Sequence, residues 1–264
     1  MNFPIAIPAF SDNYIWLISG SSTVTDRASA AIPRKVLIVD PGDSQPVSRF
    51  LTENALEPVA ILVTHHHYDH IDGIEALCRH TQLPVYGPQN SRIPALTHPL
   101  ADNDQFSIDG LRFRIIATPG HTLDHITYYT PGMLFCGDTL FAAGCGRLFE
   151  GSPLQMYESL SRLNELPADT RIYCTHEYTL KNLEFAVAVE PDNPDIVSRL
   201  AKVRRLREQN RITLPTTLAE ERRTNPFLRC HEAAVMAAAG RFAGKTVADA
   251  AETFRIIRFW KDTW

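Results

Sequence analysis

Short runs of apolar, β-prone residues recur along the first 175 positions of the chain, separated by proline, glycine and aspartate. Runs of this length between turn-forming residues are typical of buried strands. Several end abruptly at histidine or aspartate: 59–63 precede the segment 64–70, 113–120 precede His121, 133–137 precede Asp138, and 171–175 precede His176. A rigid sheet holds side chains at strand ends, while the loops beyond shape a pocket. The pattern therefore predicts a site at the ends of strands.

The segment 64–70, Thr-His-His-His-Tyr-Asp-His, holds the densest group of such side chains. If the chain stays extended there, His65, His67 and Asp69 point the same way, and His70 enters from the other side. Imidazoles and carboxylates are ligands for a borderline-soft divalent metal. We interpret the segment as a metal site rather than a tag-like histidine run, because it lies mid-chain and directly after a predicted strand.

The later strand ends complete a set of seven candidate ligands: His65, His67, Asp69, His70, His121, Asp138 and His176. This set is too large for one tetrahedral zinc. It suits two divalent ions that share a bridging carboxylate, each with an open position for water. Thr64 or Asp40 is a candidate to hold a ligating imidazole by its other nitrogen. His66 and Tyr68 fall between the ligands and should face away.

The remaining pattern divides the chain in two. Residues 14–18 and 36–39 predict early strands, and the Ser/Thr/Ala-rich stretch 19–35 between them predicts a loop or an extended hairpin tip. Residues 71–79 and 153–166 have helical periodicity, the second with Ser152 as N-cap. Helical runs without strand runs follow from Thr179. We therefore predict a metal-binding catalytic domain over 1–176 and a smaller helical domain over 177–264.

Composition narrows the classes of function. With 264 residues, 44% of them hydrophobic, the chain fits one large domain and an extension. Its net charge of −4 argues against a nucleic-acid partner. The arginines of 195–209 indicate a solvated helix surface, because no aromatics interleave with them. No apolar run approaches the ~20 residues that cross a bilayer, and we expect no signal peptide.

The five cysteines show neither zinc-like pair spacing nor a disulfide framework. A reducing cytoplasm is the simplest compartment for such a chain. Cys145, between Gly144 and Gly146, is a conceivable nucleophile, but we expect a small buried thiol at a tight turn.

Motifs along nearly the whole chain resemble one family. The His-x-His-x-Asp-His run with the later ligands is similar to the metallo-β-lactamase fold superfamily. Within it, the chain resembles the glyoxalase II (hydroxyacylglutathione hydrolase) family at 7–16, 39–43, 117–122, 136–141, the Gly-Cys-Gly block in 144–151, His-Glu-Tyr-Thr at 176–179 and Asn-Pro-Phe-Leu-Arg at 225–229. The Gly-Cys-Gly block, the His-Glu-Tyr-Thr block and the C-terminal extension narrow the resemblance from superfamily to family.

The resemblance implies an α/β fold, a four-layer αββα sandwich followed by a smaller all-α C-terminal domain. It also implies two divalent metal ions per chain, zinc before iron or manganese. The ligands divide between the two ions as follows: His65, His67 and His121 on one, Asp69, His70 and His176 on the other, with Asp138 as the bridge.

The implied activity is hydrolysis of the thioester of S-(2-hydroxyacyl)glutathione. The typical substrate, S-D-lactoylglutathione, yields glutathione and D-lactate in the second step of methylglyoxal detoxification. A metal-bound hydroxide would attack the carbonyl, with Asp69 and Asp138 as the catalytic carboxylates. No Gly-x-Ser-x-Gly elbow is present to suggest a serine nucleophile. We expect a monomer whose partner is a small-molecule glutathione thioester, with no nucleic acid and no membrane.

The resemblance also implies a set of substrate-binding side chains: Arg147, Phe149, Tyr178, Arg258 and Lys261. Arg147 matches a glutathione-contacting lysine of relatives. The tail Arg-x-x-Lys-Asp, in which Arg258 and Lys261 share a helix face, binds the glycine carboxylate in the family. Phe149 replaces a tyrosine of some relatives, and Asp72 and Asp124 stand where glycines are common.

Four alternatives differ from this interpretation in testable ways. A persulfide dioxygenase-like enzyme of the same fold would use one iron and consume oxygen. A nuclease of the ribonuclease Z type should show a basic exosite. Zinc β-lactamases commonly have a cysteine where Asp138 stands. A non-catalytic binding module should have lost some ligands, whereas all seven are present.

Overall fold

We describe the protein from a computed structural model over residues 4–20, 34–79, 81–89, 91–93 and 95–264. Most of the predicted loop at 19–35 lies outside these residues. The chain forms two compact units, the first from Met1–Ala117 and Asp124–Pro131, the second from Thr118–Leu123 and Gly132–Trp264. The predicted domain boundary at residue 176 stays a prediction.

Among the described residues of the first unit, a mixed sheet is built in chain order from six strands: β1 (Ile5–Ala9), β2 (Asn13–Ile18), β3 (Arg34–Val39), β4 (Leu56–Leu62), β5 (Val85–Pro88) and β6 (His98–Leu100). The first three strands pair antiparallel, and β3 to β6 pair parallel. β2 is buried along its whole length, and the last residues of β3 and β4 are buried too. Continuous burial is typical of strands covered on both faces.

Because β3 and β4 are parallel, the residues that follow them meet at one edge of the sheet. Asp40 follows β3 and donates its amide to the carbonyl of Leu62 over 2.9 Å. Thr64, at the start of the histidine segment, therefore lies beside Asp40. The predicted strands at 14–18, 36–39 and 59–63 are confirmed within a few residues.

Helices α1 (Ser44–Glu53), α2 (Tyr68–Ile71) and α3 (Ile74–Cys78) belong to the same unit. The helical periodicity predicted over 71–79 corresponds to α3, which begins only at Ile74 because the chain breaks between α2 and α3. Gly73 donates to the carbonyl of Pro41 over 2.9 Å, and a Cβ on it would stand 2.4 Å from that oxygen. Gly73 is thus required for the close approach of the two loops.

Strands β7 (Gln105–Ile108), β8 (Leu111–Ala117) and β9 (Ile126–Thr130) form an antiparallel set in the first unit. Tyr128 of β9 is fully buried, and burial holds the pKa of its phenol well above the usual value. Its hydroxyl donates to the carbonyl of Val63 over 2.8 Å and lies 3.2 Å from the amide of the same residue. Tyr128 thereby fixes the backbone directly before the histidine segment.

The second unit contains strands β10 (Met133–Gly137), β11 (Leu140–Phe141), β12 (Gly144–Cys145), β13 (Arg171–Cys174) and β14 (Thr216–Thr217). β10 and β13 are parallel, so Asp138 and His176, which follow them, lie at the same edge. β14 pairs antiparallel with β13, and β11 with β12 forms a short hairpin. β14 is the strand that the prediction of helices alone after Thr179 missed.

The helices of this unit are α4 (Pro153–Asn164), α5 (Thr179–Val189), α6 (Pro194–Glu208), α7 (Leu218–Thr224), α8 (Ala233–Ala243) and α9 (Ala250–Thr263), with a 3₁₀ turn at Pro226–Leu228. The predicted Ser152 cap of α4 is confirmed as a reciprocal capping box with Gln155. On α6, Lys202, Arg204 and Arg205 are exposed as expected. Arg199 is instead buried, where it pairs with Glu221 over 2.6 Å.

In the described part of the chain, none of these helices has the length and apolar character needed to span a membrane.

Candidate metal centre

Four of the predicted ligands gather in the first unit, directly after β4. His65 and His70 are fully buried, and their ring centroids are 4.1 Å apart. Nε2 of His65 faces Nδ1 of His67 at 3.0 Å. Asp69 brings its Oδ2 to 3.7 Å from Nε2 of His70. Buried imidazole nitrogens and a carboxylate that converge in this way are a donor set for a divalent metal.

Two polar residues orient these imidazoles from behind. The Thr64 hydroxyl lies 3.0 Å from Nδ1 of His65, and Oδ2 of Asp40 lies 3.1 Å from Nδ1 of His70. Asp40 also accepts from the amide and the hydroxyl of Thr64, both at 2.8 Å. Such partners fix the tautomer and direction of a ligating imidazole. Both residues proposed from the sequence therefore orient an imidazole: Thr64 orients His65, and Asp40 orients His70.

Two further residues of the first unit escaped the sequence analysis. Asn13 donates its side-chain amide to Oδ2 of Asp69 over 3.0 Å, which fixes that carboxylate. The buried ring of His125 stacks on His65 with a centroid distance of 4.8 Å. Asn13 falls inside the family-like opening at 7–16, which was the available clue. His125 is a single histidine before β9, and its sequence context gave no such clue.

His66 and Tyr68 point away from the donors, as predicted. The Tyr68 side chain is 68% exposed. Nδ1 of His66 lies 3.0 Å from Oδ1 of Asp124, and the Ser91 hydroxyl donates to the same carboxylate. Asp124, one of the departures from the family pattern, therefore pairs with His66. Asp72 is exposed at the end of α2.

The other three predicted ligands come together in the second unit. His121, Asp138 and His176 are all buried. Oδ2 of Asp138 lies 3.4 Å from Nε2 of His121 and 3.3 Å from Nε2 of His176. Nδ1 of His121 lies 2.7 Å from the carbonyl oxygen of Arg147, so its other nitrogen is directed at the carboxylate. One carboxylate thus faces two imidazoles.

The seven side chains fit a metal centre by their chemistry. They offer five imidazoles and two carboxylates, and three of the imidazoles are oriented through their second nitrogen. Within each unit the donors lie close to one another: His65 to His67 and His70 to Asp69 in the first, and Asp138 to His121 and His176 in the second. The chain therefore has a His/Asp cluster for divalent metal binding.

The predicted substrate-binding residues occupy two kinds of environment. The Arg147 side chain is 62% exposed, and Phe149 is exposed with its ring edge-on to His121 at 5.2 Å. Tyr178 stacks on His176 with a centroid distance of 4.7 Å. Phe149 and Tyr178 thus lie beside two donors of the second unit, His121 and His176.

The tail residues differ from one another. The Arg258 side chain is only 6% exposed and pairs with Asp262 over 2.9 Å, while Arg147 reaches the same carboxylate at 3.5 Å. Lys261 donates to the carbonyl of Lys181 over 3.2 Å and lies over the Phe185 ring. Burial and the neighbouring Arg258 charge lower the pKa of the Lys261 ammonium to about 8.

Cys145 is a buried thiol, as expected. Burial raises its pKa, against the opposing effect of the Arg258 guanidinium 3.5 Å from the sulfur. A raised pKa keeps the thiol protonated at neutral pH, so it lacks the thiolate that a cysteine nucleophile needs.

Two models of known protein families match the chain, one for each of its two parts. Residues 30–176 match the family model described as metallo-beta-lactamase superfamily. Residues 177–264 match the one described as hydroxyacylglutathione hydrolase C-terminus. The predicted fold is thereby confirmed as a metallo-β-lactamase domain followed by a C-terminal helical domain of this family.

Close relatives span almost the full length. A hydroxyacylglutathione hydrolase of Pseudomonas fluorescens (strain SBW25) is 54% identical over 258 residues, which cover 97% of each chain. One of Nitrosomonas europaea is 46% identical over 264 residues, or 99% of this chain and 95% of the relative.

Among solved structures, ETHE1 from Myxococcus xanthus is 29% identical with a TM-score of 0.61, over 94% of this chain and 85% of that one. TTHA1623, solved in a di-iron-bound form, is 25% identical with a TM-score of 0.59, over 86% and 100%. The full-length relatives, together with the two family models, decide the assignment: the chain belongs to the hydroxyacylglutathione hydrolase family of the metallo-β-lactamase superfamily.

Proposed function

We propose that the chain hydrolyses the thioester of S-(2-hydroxyacyl)glutathione, with S-D-lactoylglutathione as the typical substrate. The products are glutathione and a 2-hydroxy acid, D-lactate in the typical case, as in the second step of methylglyoxal detoxification. The observation that carries the proposal is the Asp138 carboxylate, within 3.4 Å of two imidazoles, in a chain 54% identical to a named hydroxyacylglutathione hydrolase. This site needs no serine or cysteine nucleophile.

We infer two divalent ions per chain, zinc in preference to iron or manganese. The ligand sets would be His65, His67 and His121 for one ion, Asp69, His70 and His176 for the other, and Asp138 between them. The size of the donor set and the di-iron form of TTHA1623 support two ions rather than one. When bound, the ions supply Lewis acidity for water and for the thioester carbonyl.

The protein side chains would prepare the reaction. Asn13 holds Oδ2 of Asp69, so this carboxylate keeps one direction. The Arg147 carbonyl does the same for His121, whose Nε2 then faces Asp138. Asp69 and Asp138 would serve as the catalytic carboxylates, because their negative charges would hold the ions that supply this chemistry. Orientation of the reacting groups is a large part of such catalysis.

Glutathione would be recognised by cations and aromatic side chains of the second unit. Its two carboxylates need fixed positive charge, which Arg147 and Lys261 offer. Tyr178 offers a hydroxyl beside His176, and Phe149 an apolar surface. Arg258 belongs to this set through Asp262, the carboxylate that it shares with Arg147.

We also infer that the enzyme acts as a monomer in the cytoplasm on this small molecule. All five cysteines lie in the described residues and none is in a disulfide, which suits a reducing compartment.

The test is a hydrolysis assay on S-D-lactoylglutathione with metal content measured on the same sample. We expect turnover that depends on metal, with close to two ions per chain. Absence of turnover in the metal-replete protein would refute the proposal. Oxygen consumption with a glutathione persulfide and a single iron would identify the same-fold dioxygenase instead.

A further inference from the structure

The hairpin β11–β12 is held by side chains of the helices rather than by its own pairing. In the second unit, buried polar groups reach its backbone from four places: Asn182 to the Ala142 carbonyl (3.1 Å), Glu221 to the Ala143 amide (2.7 Å), Asn225 to the carbonyls of Phe141 (3.2 Å) and Gly144 (2.9 Å), and Arg258 to the Cys145 carbonyl (3.0 Å). All four of these residues are at most 5% exposed.

The hairpin has little means of holding itself. Only two residue pairs join its strands, Leu140 with Cys145 and Phe141 with Gly144. Its turn places Ala143 at φ 55°, a left-handed conformation that a residue with a side chain rarely adopts. Isolated two-stranded hairpins are marginal in water. The conformation therefore depends on the groups that bind it from outside.

This hairpin lies between two elements of the metal centre. Asp138 comes two residues before β11, and the amide of Gly146, just after β12, donates to the Thr139 carbonyl over 3.2 Å. A Cβ on Gly146 would stand 1.9 Å from the Asp138 carbonyl and 3.2 Å from Nδ1 of His121. The next carbonyl, that of Arg147, lies 2.7 Å from the same nitrogen. A shift of the hairpin would therefore move Asp138 and the partner of His121.

The groups that hold the hairpin form a completed network. Glu221 accepts from Asn225 over 3.0 Å and from Ala143 with one oxygen, and from Arg199 and Thr216 with the other. A buried carboxylate without such partners would be costly, whereas a satisfied network keeps a single geometry. Asn225 also caps the following 3₁₀ turn, because its Oδ1 accepts from the Phe227 amide over 3.0 Å.

We propose that Asn225, with Asn182, Glu221 and Arg258, positions the segment 138–147 so that Asp138 and His121 are ready to bind metal. The helices after residue 177 then serve the metal centre as well as the substrate. This gives a role to the Asn-Pro-Phe-Leu-Arg motif at 225–229, which substrate binding does not explain. The metal part of the proposal rests on the proposed function, while the order of the hairpin does not.

The experiment compares Asn225→Asp and Asn225→Ala. Aspartate keeps an oxygen to cap Phe227 but loses the amide donors to the hairpin carbonyls and places a second carboxylate against Glu221, whereas alanine loses the cap and the donors without adding charge. Glu190→Gln is the matched control. The Glu190 carboxylate accepts from Nε of Arg229 over 2.8 Å, and this contact does not involve the hairpin. Asn182→Ala removes one hairpin contact and serves as a second variant if the Asn225 variants fold poorly.

Three measurements separate positioning from general stability. Hydrogen exchange of the amides in 138–147 is followed by mass spectrometry in the metal-stripped proteins. Zinc release to a chelator is timed in the loaded proteins, and kcat and KM are measured on S-D-lactoylglutathione. Thermal unfolding of each stripped protein gives the stability against which these changes are compared.

We expect Asn225→Asp to behave like Asn225→Ala. In both, hydrogen exchange in 138–147 should be much faster than in Glu190→Gln. The rate of zinc release should rise and kcat should fall, each by roughly 10- to 100-fold, while KM changes little. Asn182→Ala should follow in the same direction with a smaller effect. Exchange in 138–147 that stays at the wild-type level in Asn225→Asp would overturn the proposal and leave Asn225 as a cap. If exchange becomes faster in the Asn225 variants but the wild-type protein binds no zinc, the proposed function is wrong, while the role of Asn225 in ordering the hairpin is supported.

Discussion

Nδ1 of His70 lies 3.1 Å from Oδ2 of Asp40, and both side chains are buried. Nε2 of the same ring faces Asp69. Asp40 therefore decides which nitrogen of His70 carries the proton and which is directed toward the metal donors. Its backbone has φ 51°, a left-handed conformation that aspartate and asparagine tolerate better than most residues.

Asp40→Asn should weaken metal binding while the fold survives. Asparagine keeps the shape and tolerates the backbone conformation, but its amide would donate to Nδ1 of His70. The proton of the ring then moves to Nε2, which can no longer ligate. We expect a loss of metal affinity of roughly 10- to 100-fold, measured by competition with a chelator. Asp43→Asn, which changes the half-buried cap of α1, is the control and should have wild-type affinity. Equal affinities in the two variants would contradict this role for Asp40.

Asp138→Ala should reduce the metal content below two ions per chain and remove most activity. The carboxylate faces both His121 and His176, so its loss removes the donor that would join the two ions. Elemental analysis after metal repletion measures the content, and circular dichroism checks that the fold is retained. Full activity of the wild-type protein with one metal per chain would sink the binuclear assignment.

Four of the five thiols should be unreactive in the native protein. Cys136, Cys145, Cys174 and Cys230 are buried, and burial raises the pKa of each. Ellman's reagent should therefore label at most Cys78, which is partly exposed, until denaturant opens the fold. Cys78→Ser should remove that reaction. Rapid labelling of Cys145 in the native Cys78→Ser protein would revive the nucleophile hypothesis.

The candidate donors could be proposed from the sequence because they come after strand-forming runs. Strand ends are visible in sequence as an apolar run that stops, and the candidate donors lie in the segments that follow such runs, with Asp69 and His70 already inside α2. The groups that orient the donors were harder to predict. Asp40 meets His70 because β3 and β4 are parallel neighbours and because Asp40 takes a left-handed turn. Neither the pairing nor the turn is visible in the residues 39–43 alone.

In the helical region, too, local features could be predicted from the sequence and tertiary contacts could not. The N-cap of α4 was predictable, because Ser152 and Pro153 form a local signal. The burial of Arg199 was not, since it depends on Glu221, 22 positions away. The same holds for Arg258, whose partners include the Cys145 carbonyl, 113 positions away. Local periodicity places a residue on a helix face, whereas only the tertiary fold supplies its buried partners.

Lys261→Ala should raise KM for S-D-lactoylglutathione by about 10-fold and leave kcat nearly unchanged. One lost charged contact is worth about 1.4 kcal/mol, and a contact made equally in the ground and transition states changes KM alone. Metal content should equal that of the wild type, because no predicted ligand lies beyond His176. Lys202→Ala, at an exposed position of α6, is the matched loss of one positive charge and should leave KM unaltered. An unchanged KM in Lys261→Ala would remove this residue from the glutathione site.

The affinity for substrate should fall as the pH rises past about 8. Burial lowers the pKa of Lys261 to about 8, so its positive charge is present at pH 7 and mostly absent at pH 9. We assume that only the charged Lys261 ammonium binds the substrate carboxylate. Because kcat/KM reports the free enzyme, it should then drop by about 10-fold between pH 7 and pH 9 as Lys261 loses its proton. Lys261→Arg keeps its charge and should flatten this part of the profile. The effect on folding has the opposite sign: between pH 8 and 10.5 the unfolded chain binds more protons at this residue, so stability should rise there. A kcat/KM profile of Lys261→Arg that falls as steeply as that of the wild type would assign the transition to another group.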